Sequence, residues 1–474
     1  DLGAVTDGDG TPLEHHVGEH DEILGAPLTI RLGESDRVVV HYATTDKATA
    51  LQWLGPEQTS SGQPFLFTQS QPILARSWIP CQDSPGIRAP YDATVRVSAH
   101  LMAVMSAENP TERSADGQYR FTMPEPVPTY LVALAVGDLR FRELGARSGV
   151  YAEEAVVEEA AWEFADTEAM IEAAERLYGP YRWGRYDLLI LPPSFPYGGM
   201  ENPRLTFAPP TVIAGDRSLV TLVAHELAHS WSGNLVTNVT WNDLWLNEGF
   251  TTYFETRIDE EMYGADYTSM LLRLGRQELE KTLDGSMDTP TFLAHLESEL
   301  LAPAGLTPDD VRVEEWIHGP GVPDDAPVFT SDAFSLVEAQ VARLLAGTPA
   351  ADLDVGGWVS HQWVHLVRSL PADADHALLD DVDAAFGFST TGNIEVATAW
   401  FELVVAAGWV FERPAADRAL GDLLTRHGRA LYLRKVYTRL AATERGKERA
   451  WEIYALARPT YHPVSQGVVD RILA

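Results

Sequence analysis

The sequence predicts a multidomain α+β protein, with an N-terminal β-sheet domain, a mixed central domain and a C-terminal all-α helical domain. Three observations predict it. No long helical period occurs before Ala152. Amphipathic spacing begins at 153 and then alternates with short apolar runs. From about 328 onward, helix-length segments follow one another with Pro, Gly and Asp at the joints. The expected boundaries are 1–140 for the β-rich domain, 141–318 for the central domain, 319–327 for a linker and 328–474 for the helices. A chain of 474 residues agrees with about three domains at roughly 150 residues each.

The elements follow in order. Leu28-Thr-Ile-Arg-Leu and Val38-Val-Val-His-Tyr flank Gly33-Glu-Ser-Asp, a hairpin pattern. Val95-Arg-Val-Ser-Ala and residues 130–139 continue the strand-rich style. Residues 153–177 carry the apolar spacing of one amphipathic helix. Asp187-Leu-Leu-Ile-Leu is a short buried strand that stops at Pro192 and Pro193, and Leu205-Thr-Phe-Ala is another. Helices are expected at about 218–232 and 246–263, then at 334–345, 359–370, 396–406 and 416–427. Gly319-Pro-Gly-Val-Pro-Asp-Asp-Ala-Pro breaks the pattern as the linker. No fixed-period repeat is present.

Composition narrows the function. With 35 Lys and Arg against 69 Asp and Glu, the net charge is -34. Such a surface repels phosphate backbones and anionic lipid, so no nucleic-acid partner is expected. A hydrophobic fraction of 45% excludes a disordered chain, and no apolar run reaches the ~18 residues of a membrane-spanning helix. Cys81 is the single cysteine, which excludes an intrachain disulfide, a cysteine zinc knot and an iron–sulfur cluster. There is no basic segment followed by an apolar stretch at the amino end, and a cytoplasmic location is the expectation.

The chemistry sits in Val223-Ala-His-Glu-Leu-Ala-His-Ser-Trp. His225 and His229 are four residues apart, one turn along the same helix face. Two imidazoles so placed can bind one Zn²⁺, and Glu226 beside them can act as general base on a water. His361 and His365 share the spacing without the glutamate and read as packing or surface histidines. A hydrolytic zinc needs a third protein ligand and one open position. Glu248, in Trp245-Leu-Asn-Glu-Gly, is the candidate, and its alternative is an ordinary first-turn glutamate favoured by the helix dipole. Glu255, two turns on, either orients a ligand histidine through its other ring nitrogen or is an exposed helix glutamate. Upstream, Tyr197-Gly-Gly-Met-Glu-Asn-Pro places two glycines where backbone can approach a substrate closely. Glu201 then offers an acid without a cation in its own segment. A free α-amino group would complement it, worth ~4 kcal/mol at about 4 Å in an effective dielectric near 20, before desolvation.

Gly-Gly-Met-Glu-Asn together with His-Glu-x-x-His and a glutamate after eighteen residues resembles the gluzincin aminopeptidases of the aminopeptidase N type. Pro203, Asn234-Leu-Val-Thr, Trp245-Leu-Asn-Glu-Gly, Gln69-Ser-Gln, Pro80-Cys-Gln-Asp-Ser-Pro, His427-Gly-Arg-Ala and His462-Pro-Val resemble the leukotriene A4 hydrolase branch most. The resemblance implies a thermolysin-like catalytic domain in the centre and one zinc ion per chain, on His225, His229 and Glu248. It implies Glu226 as general base, Glu201 with Gln71 on the substrate's α-amino group, and Gly198, Gly199 and Met200 along the peptide backbone. Arg429 matches an arginine that in the branch holds a peptide carboxylate, whereas the branch's lysine two positions on is Leu431 here. The implied activity is removal of the N-terminal residue from peptides with a free amino end. The alternatives are a lipid epoxide hydrolase side activity, or a zinc-holding peptide-binding homologue of impaired catalysis. The last rests on an oxyanion tyrosine that the family carries well after the glutamate ligand. After Glu248 the chain offers Tyr253, Tyr263 and Tyr267 before the helical domain, all too early, and a segment near 282–288 reads as shortened against the family.

Overall fold

The computed structural model describes residues 1–282, 301, 306–319 and 322–474, so the shortened segment near 282–288 lies almost wholly outside the described residues, as do positions 320 and 321 of the linker. The chain divides into two compact units, Asp1–Leu139 and Arg140–Ala474.

The first unit is built from antiparallel strands. Its central sheet orders Leu51–Leu54, Phe65–Thr68, Leu134–Gly137 and Met102–Met105, with Phe65, Phe67, Val104 and Ala135 buried. A long ribbon pairs Arg88–Arg96 with Gln118–Pro128. The hairpin expected across Gly33 does not form. Leu28–Ile30 pairs with His15–Val17, and Val39–Tyr42 pairs with Leu2–Thr6. Eight residues separate the two strands, too many for a tight two-residue turn, and each finds an upstream partner instead.

The second unit opens with a four-stranded sheet in sequence order: β1 (Leu139–Glu143), β2 (Ser148–Glu153), β3 (Tyr186–Ile190) and β4 (Leu205–Ala208). β2, β3 and β4 are parallel, and β3 and β4 are buried along their whole lengths. Their unbroken apolar text fits strands covered on both faces. The helix expected over 153–177 is two helices, α1 (Val157–Glu163) and α2 (Thr167–Tyr178). The break follows Glu163, whose buried carboxylate turns away to accept from the backbone N–H groups of Gly215 and Arg217. Next come α3 (Thr221–Ala228), shorter than expected, α4 (Leu244–Tyr263) and α5 (Ala265–Thr282).

After α6 (Val313–His318) the chain is helical: α7 (Asp332–Leu345), α8 (Ser360–Ser369), α9 (His376–Phe386), α10 (Ile394–Ala406), α11 (Pro414–Arg426), α12 (Ala430–Ala441), α13 (Glu444–Ala457) and α14 (Pro463–Leu473). The helices expected from periodicity in this region match within two residues. Their apolar stripes meet around the fully buried Trp400, with Phe388, Trp409, Tyr437 and Tyr454 in the same core. Among the described residues no helix is long and apolar enough to cross a membrane.

Asp216 ties the helices to the loop that leads into α3. One carboxylate oxygen accepts from the N–H and hydroxyl of Ser218, the other from the N–H and hydroxyl of Ser360 at the start of α8. Burial works to raise its pKa, but these four bonds outweigh it and hold the carboxyl below its ordinary value. Such a group stabilises the fold above its unfolded-state pKa, and the gain is lost as pH falls through the folded-state value. Asp216→Ala should therefore lower stability by about 2 kcal/mol at neutral pH, measured by urea unfolding, and the deficit should shrink at the acid end.

Candidate functional site

α3 is short and one-sided. Val223, Ala224, Leu227 and Ala228 are buried, which fixes the helix's rotation and sends His225 and His229 to one face. The chain then reverses through Gly233, whose φ of 115° is open to glycine. A Cβ there would lie 2.3 Å from Asn247 Oδ1 and 2.8 Å from His229 Nδ1. The return brings α4 alongside α3. The Ser232 hydroxyl donates to the Asn247 carbonyl, and Thr251 Oγ1 donates to the Ser232 carbonyl.

Three side chains converge at this join. The Nε2 atoms of His225 and His229 are 3.2 Å apart, and Glu248 Oε2 lies 3.5 and 3.8 Å from them. A tetrahedral cation with bonds of ~2.0–2.1 Å sets its nitrogen ligands roughly 3.3 Å apart, so this donor set fits such an ion. The outer ring nitrogens are occupied. His225 Nδ1 pairs with Glu255 Oε2 at 2.9 Å, and His229 Nδ1 faces the Ser232 carbonyl at 3.0 Å. With Nδ1 donating, each imidazole keeps its Nε2 lone pair for the shared point. Burial works to lower the His225 pKa, but Glu248 and Glu255 outweigh it and hold it well above the ordinary value. His229, fully enclosed and beside His225, is pushed down to about 4.

Glu226 is 5% exposed, and its Oε2 has no hydrogen-bond partner among the described residues. Burial raises its pKa well above the carboxylate range; His225 opposes this, while Glu201, Glu248 and Glu255 add to it. A carboxylate raised in this way is a capable proton acceptor near neutrality. Oxygens of Glu201 and Glu226 and a ring nitrogen of His229 all lie within 4.8 Å of one another.

The segment carrying Glu201 runs as an edge beside β4. Met200 and Phe207 exchange both backbone hydrogen bonds, at 2.9 and 3.0 Å. Asn234 Nδ2 donates to the Glu201 carbonyl at 2.7 Å. A Cβ on Gly199 would meet Glu226 Oε1 at 2.0 Å, so a side chain at that position would displace the acid. On the far side, Gly428 N–H donates to the Pro193 carbonyl and Ala430 N–H to that of Pro196, both at 2.8 Å. Arg429 between them reaches Gly198: its Nη2 is 2.9 Å from where a Cβ would stand.

The structure thus brings His225, His229, Glu248, Glu255, Glu226, Glu201, Gly198, Gly199, Met200 and Arg429 into one neighbourhood. Gln71 belongs to the other compact unit. His361 and His365 are buried packing residues: His365 stacks on Phe334 at 4.0 Å, and His361 meets Tyr267 edge-on at 6.1 Å. Tyr267 donates to the Ser218 carbonyl, Tyr263 packs on Tyr267, and Tyr253 is exposed. Sequence reasoning missed the supports Ser232, Asn247 and Thr251. It also missed Tyr186, a buried phenol on β3 whose pKa is raised by burial and by Glu226. None of these has a spacing signal.

Three family models match the chain: the Peptidase M1 N-terminal domain over residues 9–131, the Peptidase family M1 domain over 162–298, and the Leukotriene A4 hydrolase C-terminal domain over 358–473. Leukotriene A-4 hydrolase of Xenopus laevis is 34% identical over all of this chain and 88% of its own length. Leucine aminopeptidase 2 of Ajellomyces capsulatus is 34% identical over 98% of this chain and 87% of its own. The structure of yeast LTA4 hydrolase in complex with bestatin superposes with a TM-score of 0.86 at 29% identity, covering 100% of this chain and 88% of that one. Taken in order along the chain, the three models give an N-terminal β domain, a central catalytic domain and a C-terminal helical domain.

One buried acid near the site leaves an oxygen unpartnered among the described residues. Asp259, one turn beyond Glu255 on α4, is 1% exposed, and its Oδ1 accepts no hydrogen bond from any of them. Burial, then the Glu255 charge, push its pKa up to about 8. The unfolded chain releases this proton near pH 4 and the folded one near 8, so folding loses stability as pH rises through that window. Asp259→Asn should raise the thermal midpoint, more at pH 8 than at pH 5, with the gain growing by at most about 1.4 kcal/mol per pH unit.

Proposed function

The chain belongs to the M1 family of zinc metallopeptidases, and from that premise we propose how its own residues carry out the activity of the family. The protein is a zinc metallo-aminopeptidase, a hydrolase acting on peptides. In our reading His225, His229 and Glu248 hold the metal, Glu255 orients His225, and Glu226 is the general base. Glu201 receives the α-amino group, while Gly198, Gly199 and Met200 run beside the peptide backbone. Arg429 meets the peptide's carboxyl end. The segments 141–318 and 328–474 act as catalytic and helical domains joined by 319–327.

Zinc, when bound, polarises the scissile carbonyl and lowers the pKa of water from 15.7 toward ~7. Glu226 takes a proton from the attacking water and delivers it to the leaving amine. Its raised pKa suits both halves of that transfer. The open edge at Gly198 and Gly199 accepts an extended backbone, as an added strand would. Glu201 sets where cleavage falls, one residue from the end, because its carboxylate fixes the ammonium beside the base.

The single observation that carries this reading is the closeness of Glu201 to Glu226 and His229, within 4.8 Å by donor atoms. In our reading that closeness sets the Glu201 carboxylate about one residue's width from the reacting centre. A lipid epoxide has no cation to offer that acid, so the same observation favours a peptide's amino end.

Glu226→Gln should keep its zinc, read by metal analysis, and lose about 10²–10⁴ in kcat. Wild-type turnover in that variant would remove the base assignment. Glu201→Gln should raise KM for aminoacyl anilides by about tenfold or more and erase the preference for a free over an acetylated amino end. Retention of that preference would remove the amine anchor.

A further inference from the structure

Arg429 sits at the end of a buried polar chain that the reaction does not use. It is the N-cap residue of α12, and its guanidinium lies over the Tyr432 ring, 4.5 Å from the centroid. Arg429 Nη1 donates to the Tyr432 hydroxyl at 2.5 Å, and that hydroxyl donates in turn to Glu395 Oε2 on α10. The opposite edge of the guanidinium is uncommitted. Nη2 points at Gly198, and the buried Nε has no hydrogen-bond partner among the described residues.

The acid at the other end stays ionised. Burial works to raise the Glu395 pKa, but Arg429 first, then Lys435, the Tyr432 hydroxyl and Arg368, hold it below its ordinary value. Lys435 lies one turn beyond Tyr432 on α12. Three cations therefore face one carboxylate, so Glu395 can hold Tyr432 without cancelling the positive charge of this corner.

We propose that Tyr432 and Glu395 form a positioning pair for Arg429, turning its Nε–Nη2 edge toward the Gly198–Gly199 segment to receive the terminal carboxylate of a short peptide. The inference rests on the reading above that Arg429 meets the carboxyl end. A guanidinium presents two parallel N–H bonds to a carboxylate only when its plane is fixed. Here the ring beneath the guanidinium fixes the plane, and the hydroxyl fixes the rotation within it.

The experiment compares a tripeptide with its C-terminal amide on the zinc-loaded full chain, as the ratio of their kcat/KM values. Wild type should prefer the free acid, and Arg429→Gln should remove that preference. Tyr432→Phe keeps the ring and every charge but loses the hydroxyl. It should lower the acid-to-amide ratio about tenfold, with the change in KM for the acid. If Tyr432→Phe leaves the ratio within twofold of wild type while Arg429→Gln removes it, the positioning pair is wrong and the Arg429 reading stands. If wild type shows no acid preference, both fall. Equal loss on acid and amide with a lowered thermal midpoint would make Tyr432 a packing residue and overturn the inference.

Discussion

The interaction on which the catalytic unit depends is the pair of hydrogen bonds behind the two imidazoles. Glu255 takes the outer nitrogen of His225, and the Ser232 carbonyl takes that of His229. An imidazole has one lone pair to give when neutral, and these bonds decide where it points. The short α3, the reversal at Gly233 and the return of α4 all serve to bring those two acceptors behind the rings. Without them the 3.2 Å approach of the inner nitrogens would be a clash of donors or an accident of packing.

The same fold crowds acids together. Glu201, Glu226, Glu248 and Glu255 surround two histidines, of which His225 has its pKa raised by Glu248 and Glu255 and His229 has its own lowered by burial. Like charges in a low-dielectric pocket repel strongly. A divalent ion on one side and an ammonium on the other would balance them. Asp259 marks the limit of this tolerance, since a fifth carboxyl in the same field holds its proton up to about pH 8.

Much of this was legible before the coordinates. His225, His229 and Glu226 declare themselves because a helix converts a four-residue spacing into a shared face, and periodicity alone bounded four of the eight helices described after residue 328. Gly198 and Gly199 could be read as a close approach of backbone to a substrate; what the structure shows at Gly199 is the Glu226 carboxylate, a neighbour that no local pattern announces. What stayed hidden depended on tertiary placement. The acceptor behind His229 is a main-chain carbonyl, which no residue type signals. Tyr432 and Glu395 stand 37 residues apart on different helices. The helix over 153–177 broke because Glu163 has partners in a loop some fifty residues downstream, and the hairpin at Gly33 failed because each strand had another partner to choose. Local pattern carries propensity, but competition between partners is settled by the whole chain.

The clip between residues 428–430 and the Pro193–Pro196 turn has an evolutionary corollary. Residues 428–430 are encoded at the far end of the gene from the helix that carries His225 and His229, so the turn leading to Gly198 takes part of its support from the terminal bundle. A recombinant that swapped the terminal bundle for another of equal stability would inherit an intact hydrolytic centre with a foreign rim. In the reading proposed above, divergence in substrate choice can therefore proceed through exchange of the bundle alone, leaving the chemistry untouched.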